Sequence, residues 1–296
     1  MLKSLIDMLD LMILNVEPYQ VHTEWRHDKV SSPYSRLYYF VEGTGRIYFH
    51  KQKKLYSLKP ATMYLIPCFT LVDLYCPNTF LHYYIHFTAY TQNGFDLLTL
   101  LDCTCEEPAV SHGISRHHFD RLYQLNPGRE LIERDANKPI YKSTLERARQ
   151  LDQDRSVAHT MESNGLLRML LAPFLQANNQ ESISSTIEGL NRFESVIKHI
   201  QQHLTDELPL PLLAEVAGLH PTYFSNLFTQ YMGIPPIQYI QRMRIEKAQV
   251  LLLSSHENLD TIAHSAGFED TFYFSRVFKK LVGVSPGRYR RQNNHM

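Results

Sequence analysis

An internal repeat in the last third of the chain constrains this fold more than any other feature. Gly218-Leu219 returns as Gly267-Phe268, and from there an offset of fifty aligns the two copies. Tyr223 then matches Tyr273, Phe224 matches Phe274, Ser225 matches Ser275 and Phe228 matches Phe278. Gly233 matches Gly283, Pro236 matches Pro286 and Tyr239 matches Tyr289. Each copy has the grammar of a helix-turn-helix. A short apolar run, Leu212 to Ala217 or Leu259 to Ala266, predicts a first helix. Gly218 or Gly267 ends it, in the left-handed conformation that glycine tolerates best. His220 or Asp270 then stands at the N-cap of a second helix, and Pro221 suits its first position. The second helices carry core stripes at i, i+3, i+4, i+7: Phe224, Leu227, Phe228, Tyr231, and Phe274, Val277, Phe278, Leu281.

The faces opposite these stripes are the candidate DNA-reading surfaces. In the first copy the candidates are His220, Pro221, Thr222, Ser225 and Asn226. In the second they are Thr271, Phe272, Ser275, Arg276 and Lys279. A helix from Pro235 to Leu253 separates the copies and spans about 28 Å at 1.5 Å per residue. Successive major grooves on one face of B-DNA lie about 34 Å apart, so such a strut can set two recognition helices in consecutive grooves. Formal net charge is zero, so the charge argument is local. From Asp270 onward Arg276, Lys279, Lys280, Arg288, Arg290 and Arg291 stand against Asp270 alone, and such a tail can meet phosphates. The first recognition helix contains no Lys or Arg.

Residues 20–90 read as β structure, in short Tyr-, Phe-, Val- and Ile-rich runs between turn signals. Tyr38 to Val41, Glu42-Gly43-Thr44-Gly45 and Arg46 to His50 predict a hairpin, with glycines where positive φ is needed. Strands so closely spaced predict a sandwich or small barrel. Helices are predicted near Phe119 to Leu125, from Lys142 to Gln153 and from Val157 to Leu175. The last carries Leu166, Leu167, Leu170, Leu171 and Phe174, a stripe suited either to a dimer contact or to packing on the barrel. Residues 176–190 are polar and lack a stripe, as a linker would. The expected fold is therefore two-domain. Residues 1–175 form an all-β barrel with appended helices, and residues 191–296 form an all-α domain with two helix-turn-helix units.

Other classes are disfavoured. Asp7 and Asp10 interrupt the apolar N-terminal residues, and Leu166 to Leu175 is too short to span a bilayer, so a cytoplasmic protein is expected. Cys68, Cys76, Cys103 and Cys105 form no disulfide framework and read as reduced thiols. Cys103-Thr104-Cys105 lacks neighbouring ligands for a metal clip. His82, Tyr84 and His86 share one face if 80–88 is a strand, where two His are ligands or hydrogen-bonded barrel residues. Trp25 is the only tryptophan, and Tyr38, Tyr48, Tyr64 and Tyr84 add aromatic surface on nearby strands. Such rings pack a core or stack on an effector, with Arg36 or His82 as polar contacts. Trp25, Arg36, Tyr38, His82 and Tyr84 are the candidate effector residues.

The stretch from Leu213 to Arg291 resembles the DNA-binding domain of the AraC/XylS family of bacterial transcription regulators. The resemblance rests on Tyr239-Ile240, Arg242 to Ala248 and Leu251-Leu252 in the connecting helix. It rests also on Ala266-Gly267-Phe268, Tyr273 to Lys280 and Gly283-Val284-Ser285-Pro286 in the second unit. Val41 to Arg46, Leu65-Ile66-Pro67 and Tyr84 to Phe87 are more loosely similar to the family's cupin-type sensor barrel. The resemblance implies a small-molecule effector in the barrel, a sugar among the candidates, with Tyr84 at an aromatic contact position. It also implies a homodimer, RNA polymerase as a partner and usually activation. The metal set of cupin enzymes is missing: Thr70 to Leu74 stands where related sensors often place a His. No metal, no cofactor and no catalysis are expected. A cupin-type enzyme with a helical appendage and a protein-interaction scaffold are the rival classes.

Overall fold

The computed structural model describes residues 9–23, 25–91, 96–100, 103–131, 140–176, 188–189, 192–232 and 234–293. Among the described residues of the N-terminal half are nine strands: β1 (Asp10–Val21), β2 (Arg26–Val30), β3 (Ser35–Gly43), β4 (Arg46–Phe49), β5 (Lys54–Ser57), β6 (Thr62–Ile66), β7 (Val72–Tyr75), β8 (Phe80–Tyr90) and β9 (Glu106–Pro108). They pair antiparallel in two sheets, ordered β1-β8-β3-β6-β9 and β2-β7-β4-β5. The larger sheet is buried on both faces, which is why β3 and β6 read as nearly continuous apolar runs. One face, with Phe40, Tyr64 and Phe80, packs against Ile47, Phe49, Val72 and Leu74 of the smaller sheet. The other, with Leu37, Tyr39, Ile85 and Phe87, packs against helices.

Those helices follow a single turn, α1 (Leu97–Leu100), and are α2 (Arg116–Leu125), α3 (Ile140–Gln153) and α4 (Val157–Gln176). The leucine stripe of α4 packs on the sheet: Leu167, Leu170, Leu171 and Phe174 are buried in the same cluster as Phe119 and Leu122 of α2. Packing on the barrel therefore accounts for the stripe, and a different face of α4 looks outward. The predicted linker falls largely on residues 177–187 and 190, outside the described residues.

Two β expectations need correction. The β region begins at Asp10 rather than residue 20, because β1 is a long strand paired along its whole length with β8. The 42–45 turn is not a hairpin. β3 pairs with β6 and β8 while β4 pairs with β5 and β7, so this turn carries the chain from one sheet to the other. Gly43 has φ of 101°, and a Cβ there would lie 2.3 Å from the Thr79 carbonyl oxygen. Gly45 has no positive φ, but a Cβ would lie 2.7 Å from Leu58. These glycines allow a close strand crossing.

The C-terminal half holds α5 (Glu194–Gln202), α6 (Leu210–Val216), α7 (Pro221–Met232), α8 (Pro236–Ser254), α9 (Leu259–Ser265), α10 (Thr271–Val282) and α11 (Pro286–Asn293). No strand occurs among its described residues. α5 to α7 and the start of α8 enclose one core, with Phe193, Ile197, Leu213, Phe224, Phe228 and Tyr239. The rest of α8 with α9 to α11 encloses another, with Ile245, Leu252, Ile262, Phe268, Phe274 and Tyr289. In α10 Leu281 is 49% exposed, and the buried Val282 closes the stripe instead. The second core runs on into the N-terminal half, where Leu14 of β1 and Ala148 of α3 are buried within it.

Candidate functional site

The repeat forms two helix-turn-helix units, α6–α7 and α9–α10, offset as the sequence pattern requires. Gly218 and Gly267 both adopt positive φ, 64° and 92°. A Cβ on Gly218 would meet nothing, so that position needs glycine for its backbone alone. A Cβ on Gly267 would lie 2.6 Å from the Leu204 carbonyl and 2.8 Å from Arg244 Nε. Arg244, on α8, clamps the units together: Nε donates to the Leu204 carbonyl at 2.8 Å and Nη2 to the Asp206 carbonyl at 2.6 Å. Its guanidinium also lies 6.0 Å from the Phe268 ring centroid. The partner of Gly283 in the repeat, Gly233, lies outside the described residues.

The predicted reading faces are outward. On α7, Thr222 and Asn226 are exposed, Pro221 and Ser225 are half-buried, and His220 is exposed just ahead of the helix. Tyr223, which sequence reasoning left aside, is 55% exposed beside them. On α10, Phe272 is 83% exposed. Arg276 is exposed with its guanidinium 5.8 Å from the Tyr273 ring centroid, and Lys279 is exposed one turn later. No carboxylate pairs with Arg276 among the described residues, so the ring under it, not Glu269, orients it. Ser275 is half-buried. Thr271 is half-buried, and its hydroxyl donates to Asp260 Oδ1 at 2.5 Å, tying α9 to α10 at the surface. Asp270 caps α10 by accepting from the Tyr273 amide. Arg290 is also engaged, donating to the carbonyls of Leu252 and Glu257, whereas Arg288 and Arg291 are exposed.

A second candidate site is a cavity of about 320 Å³ between the two sheets. The five predicted effector residues, Trp25, Arg36, Tyr38, His82 and Tyr84, all line it. Strand pleating explains the convergence: Arg36 pairs with His86, Tyr38 with Tyr84 and Phe40 with His82 across β3 and β8, so alternate residues share the inner face. Tyr48 and Tyr64 are not among the lining. Tyr48 packs edge-on to His50, and Tyr64 is a core residue whose hydroxyl meets Glu106. The structure adds Tyr19, His22, His27, Tyr34, His86 and Leu131. His86 was legible from its alternation with His82 and Tyr84. Tyr19 was not, because β1 was not recognised.

Burial dominates the electrostatics of this cavity. It pushes His82 down to about 3, from an ordinary 6.5, so the ring is neutral. Burial and then the positive charge of Arg36 hold His86 well below its ordinary value. The Tyr84 hydroxyl donates to the Glu17 carboxylate, which also accepts from the Leu131 amide at 3.1 Å. Tyr84 therefore offers the cavity its ring. Among the described residues no group of three or more His, Cys, Asp or Glu is arranged to hold a metal ion.

Residues 213–292 match the family model described as a helix-turn-helix domain. The chain is 35% identical over 126 residues to the arabinose operon regulatory protein of Escherichia coli (strain K12), covering 42% of each chain. It is 36% identical over 187 residues to the regulatory protein PocR of Salmonella typhimurium, covering 60% of this chain and 58% of the relative. Residues 213–292 are a helix-turn-helix domain of the AraC/XylS type. The chain spans about half the length of the curated relatives it matches. Among solved structures, the C-terminal domain of the response regulator yesN from Fusobacterium nucleatum is 37% identical, covering 34% of this chain and 98% of that one, with a TM-score of 0.33. In this AraC/XylS-type domain, α7 and α10 stand where the two recognition helices of the repeat are expected.

Proposed function

We propose that the protein is a sequence-specific DNA-binding transcription regulator, an activator controlled by a small molecule bound in the N-terminal cavity. The observation that carries this reading is the pair of helix-turn-helix units with outward polar faces, held together by α8 and the Arg244 clamp. Residues 1–175 act as sensor, 176–190 as linker and 191–296 as the DNA-binding unit. RNA polymerase is the partner through which activation would run. The chain acts by binding rather than by catalysis. No described helix is long and apolar enough to cross a membrane, and the work proposed here belongs in the cytoplasm.

Homodimerisation is part of the proposal, through the outward face of α4 rather than its leucine stripe. Val157 is 77% exposed, Met161 71% and Met169 37%, all away from the buried leucine stripe. Exposed apolar residues gathered on one helix are the kind of surface that a second copy of the chain would cover.

The test is a mobility-shift and footprinting experiment on DNA upstream of the protein's own gene, with the full chain. Protection of two adjacent major-groove segments supports the reading. Binding that does not discriminate that DNA from scrambled competitor overturns it.

A further inference from the structure

A chain of side-chain contacts runs from the connecting helix to the second reading face, and the role it plays rests on the DNA-binding reading above. Gln241 stands on α8 directly after Tyr239 and Ile240, which are buried in the core of the first unit. Its side-chain Nε2 donates to the hydroxyl oxygen of Tyr273, on α10 of the second unit, at 2.7 Å. The Tyr273 ring packs against the buried Phe268, with ring centroids 6.2 Å apart. The Arg276 guanidinium lies 5.8 Å from the centroid of the same ring. Arg244, one turn after Gln241 on α8, meets Phe268 from the same side of the helix.

Tyr273 is exposed, and an exposed side chain exchanges rotamers within nanoseconds when nothing holds it. Here the hydroxyl is tied to Gln241 and the ring is backed by Phe268, so both ends are restrained. The ring in turn gives the guanidinium one face to lie against. A phosphate contact needs only a charge of the right sign, whereas a bidentate pair with a guanine edge needs the plane of the guanidinium fixed. A side chain ordered in advance also gives up less freedom on binding. Held in this way, Arg276 suits base reading. Gln241 is neutral, so it can hold the ring without adding attraction for phosphate.

The first unit has no counterpart. Tyr223 takes the place of Tyr273 and is exposed, but among the described residues its hydroxyl has no hydrogen bond. Asn226 takes the place of Arg276. The tether and the arginine occur together, in one unit and not in the other.

We infer that Gln241 is a positioning residue for sequence recognition: through the Tyr273 hydroxyl and ring it holds the Arg276 guanidinium for a guanine edge. The experiment equilibrates the full chain with a pool of sequence-randomised duplexes and sequences the bound fraction, which gives a preference at each base pair. Arg276→Ala should flatten a guanine preference at one position. Gln241→Leu and Tyr273→Phe should each weaken the preference at that same position by about three-fold, the scale of one neutral hydrogen bond, and leave the other positions unchanged. Made in an Arg276→Ala background, both should leave the profile as it is. That silence separates positioning from support of the fold, because a destabilised domain loses affinity at every position and in both backgrounds. Circular dichroism shows whether each variant folds, and Tyr273→Phe, which keeps the ring, decides if Gln241→Leu does not. A loss spread evenly over all sequences, or one that persists without Arg276, overturns the inference. So does an unchanged preference at the Arg276 position in Gln241→Leu and Tyr273→Phe, or an Arg276→Ala profile with no flattened position. In each of these cases a defined site selected by the unaltered chain leaves the DNA-binding reading standing. No site enriched by the unaltered chain overturns both.

Discussion

The hydroxyl of Tyr289, on α11, donates to the carbonyl oxygen of Ser31, at the end of the second strand of the barrel, at 2.8 Å. Neither residue is exposed to solvent. The bond joins groups 258 positions apart and ties the second helix-turn-helix unit to the cavity-bearing half. Tyr34, which lines the cavity, also packs against the core that contains Tyr289.

Tyr289→Phe keeps the ring but leaves the Ser31 carbonyl without this donor. A buried acceptor deprived of its donor costs about 1–3 kcal/mol. Urea unfolding of the full chain should show a lower midpoint with an unchanged slope. An unchanged midpoint would mean that the contact contributes nothing to stability.

Arg276→Ala should weaken operator binding by about 1–3 kcal/mol. A phosphate contact would show as a salt slope shallower by about one, and a base contact as lost preference at one operator position. Asn226→Ala should cost less and relax one position of the other half-site, because Asn reads adenine without supplying charge. Quantitative footprinting across a salt series separates these cases. Unchanged affinity, slope and preference in Arg276→Ala refute the assignment.

The two faces of α4 should respond oppositely to a charge. Leu170 is fully buried against the sheet, so Leu170→Asp should abolish folding by placing an uncompensated carboxylate in the core. Met161 is 71% exposed, so Met161→Asp should leave the fold intact and yield monomer in ultracentrifugation. A folded, dimeric Met161→Asp chain moves the interface elsewhere.

Stability should fall as pH drops through the range where an unfolded histidine takes up a proton. His82 titrates near 3 when folded and near 6.5 when unfolded. Between those values the unfolded chain binds the extra proton, so acid favours unfolding. From pH 7.5 to pH 5 the loss from this residue is about 2 kcal/mol. Urea unfolding at both pH values should show His82→Asn losing less than the unaltered chain by about that amount. Equal losses would mean that His82 is not held neutral.

The helical repeat was legible because each of its features has a local cause. Gly218 and Gly267 need positive φ, Asp270 needs an amide to cap, and the Phe224 and Phe274 stripes need only helical spacing. Those requirements hold within about fifteen residues of sequence. Sheet pairing has no such local cause. Gly43-Thr44-Gly45 has the composition of a hairpin turn, and what makes it a crossing is the Thr79 carbonyl, far along the chain. β1 was missed for the same reason, since its partner, β8, lies some seventy residues away. The cavity was partly legible: alternation placed His82 and Tyr84 together, but nothing local says that Tyr34, His22 and Leu131 close the space around them. Leu281 illustrates the reverse case, where a correct period overran the helix's buried arc and Val282 took its place.

The Arg244 clamp bears on what the operator must look like. Its two carbonyl acceptors, Leu204 and Asp206, belong to the segment just before α6, while Gly267 and Phe268 of the second unit press against its guanidinium. The two reading heads are thereby fixed in phase with each other, like the teeth of one key rather than two keys on a ring. A base pair inserted between half-sites turns one groove by about a tenth of a helical turn and shifts it by about 3.4 Å. A protein so clamped has no joint with which to follow. The duplex must then supply the adjustment by bending, and flexible pyrimidine–purine steps between the half-sites would ease it. Spacing and bendability thus become part of the message being read, in base pairs that neither recognition helix touches.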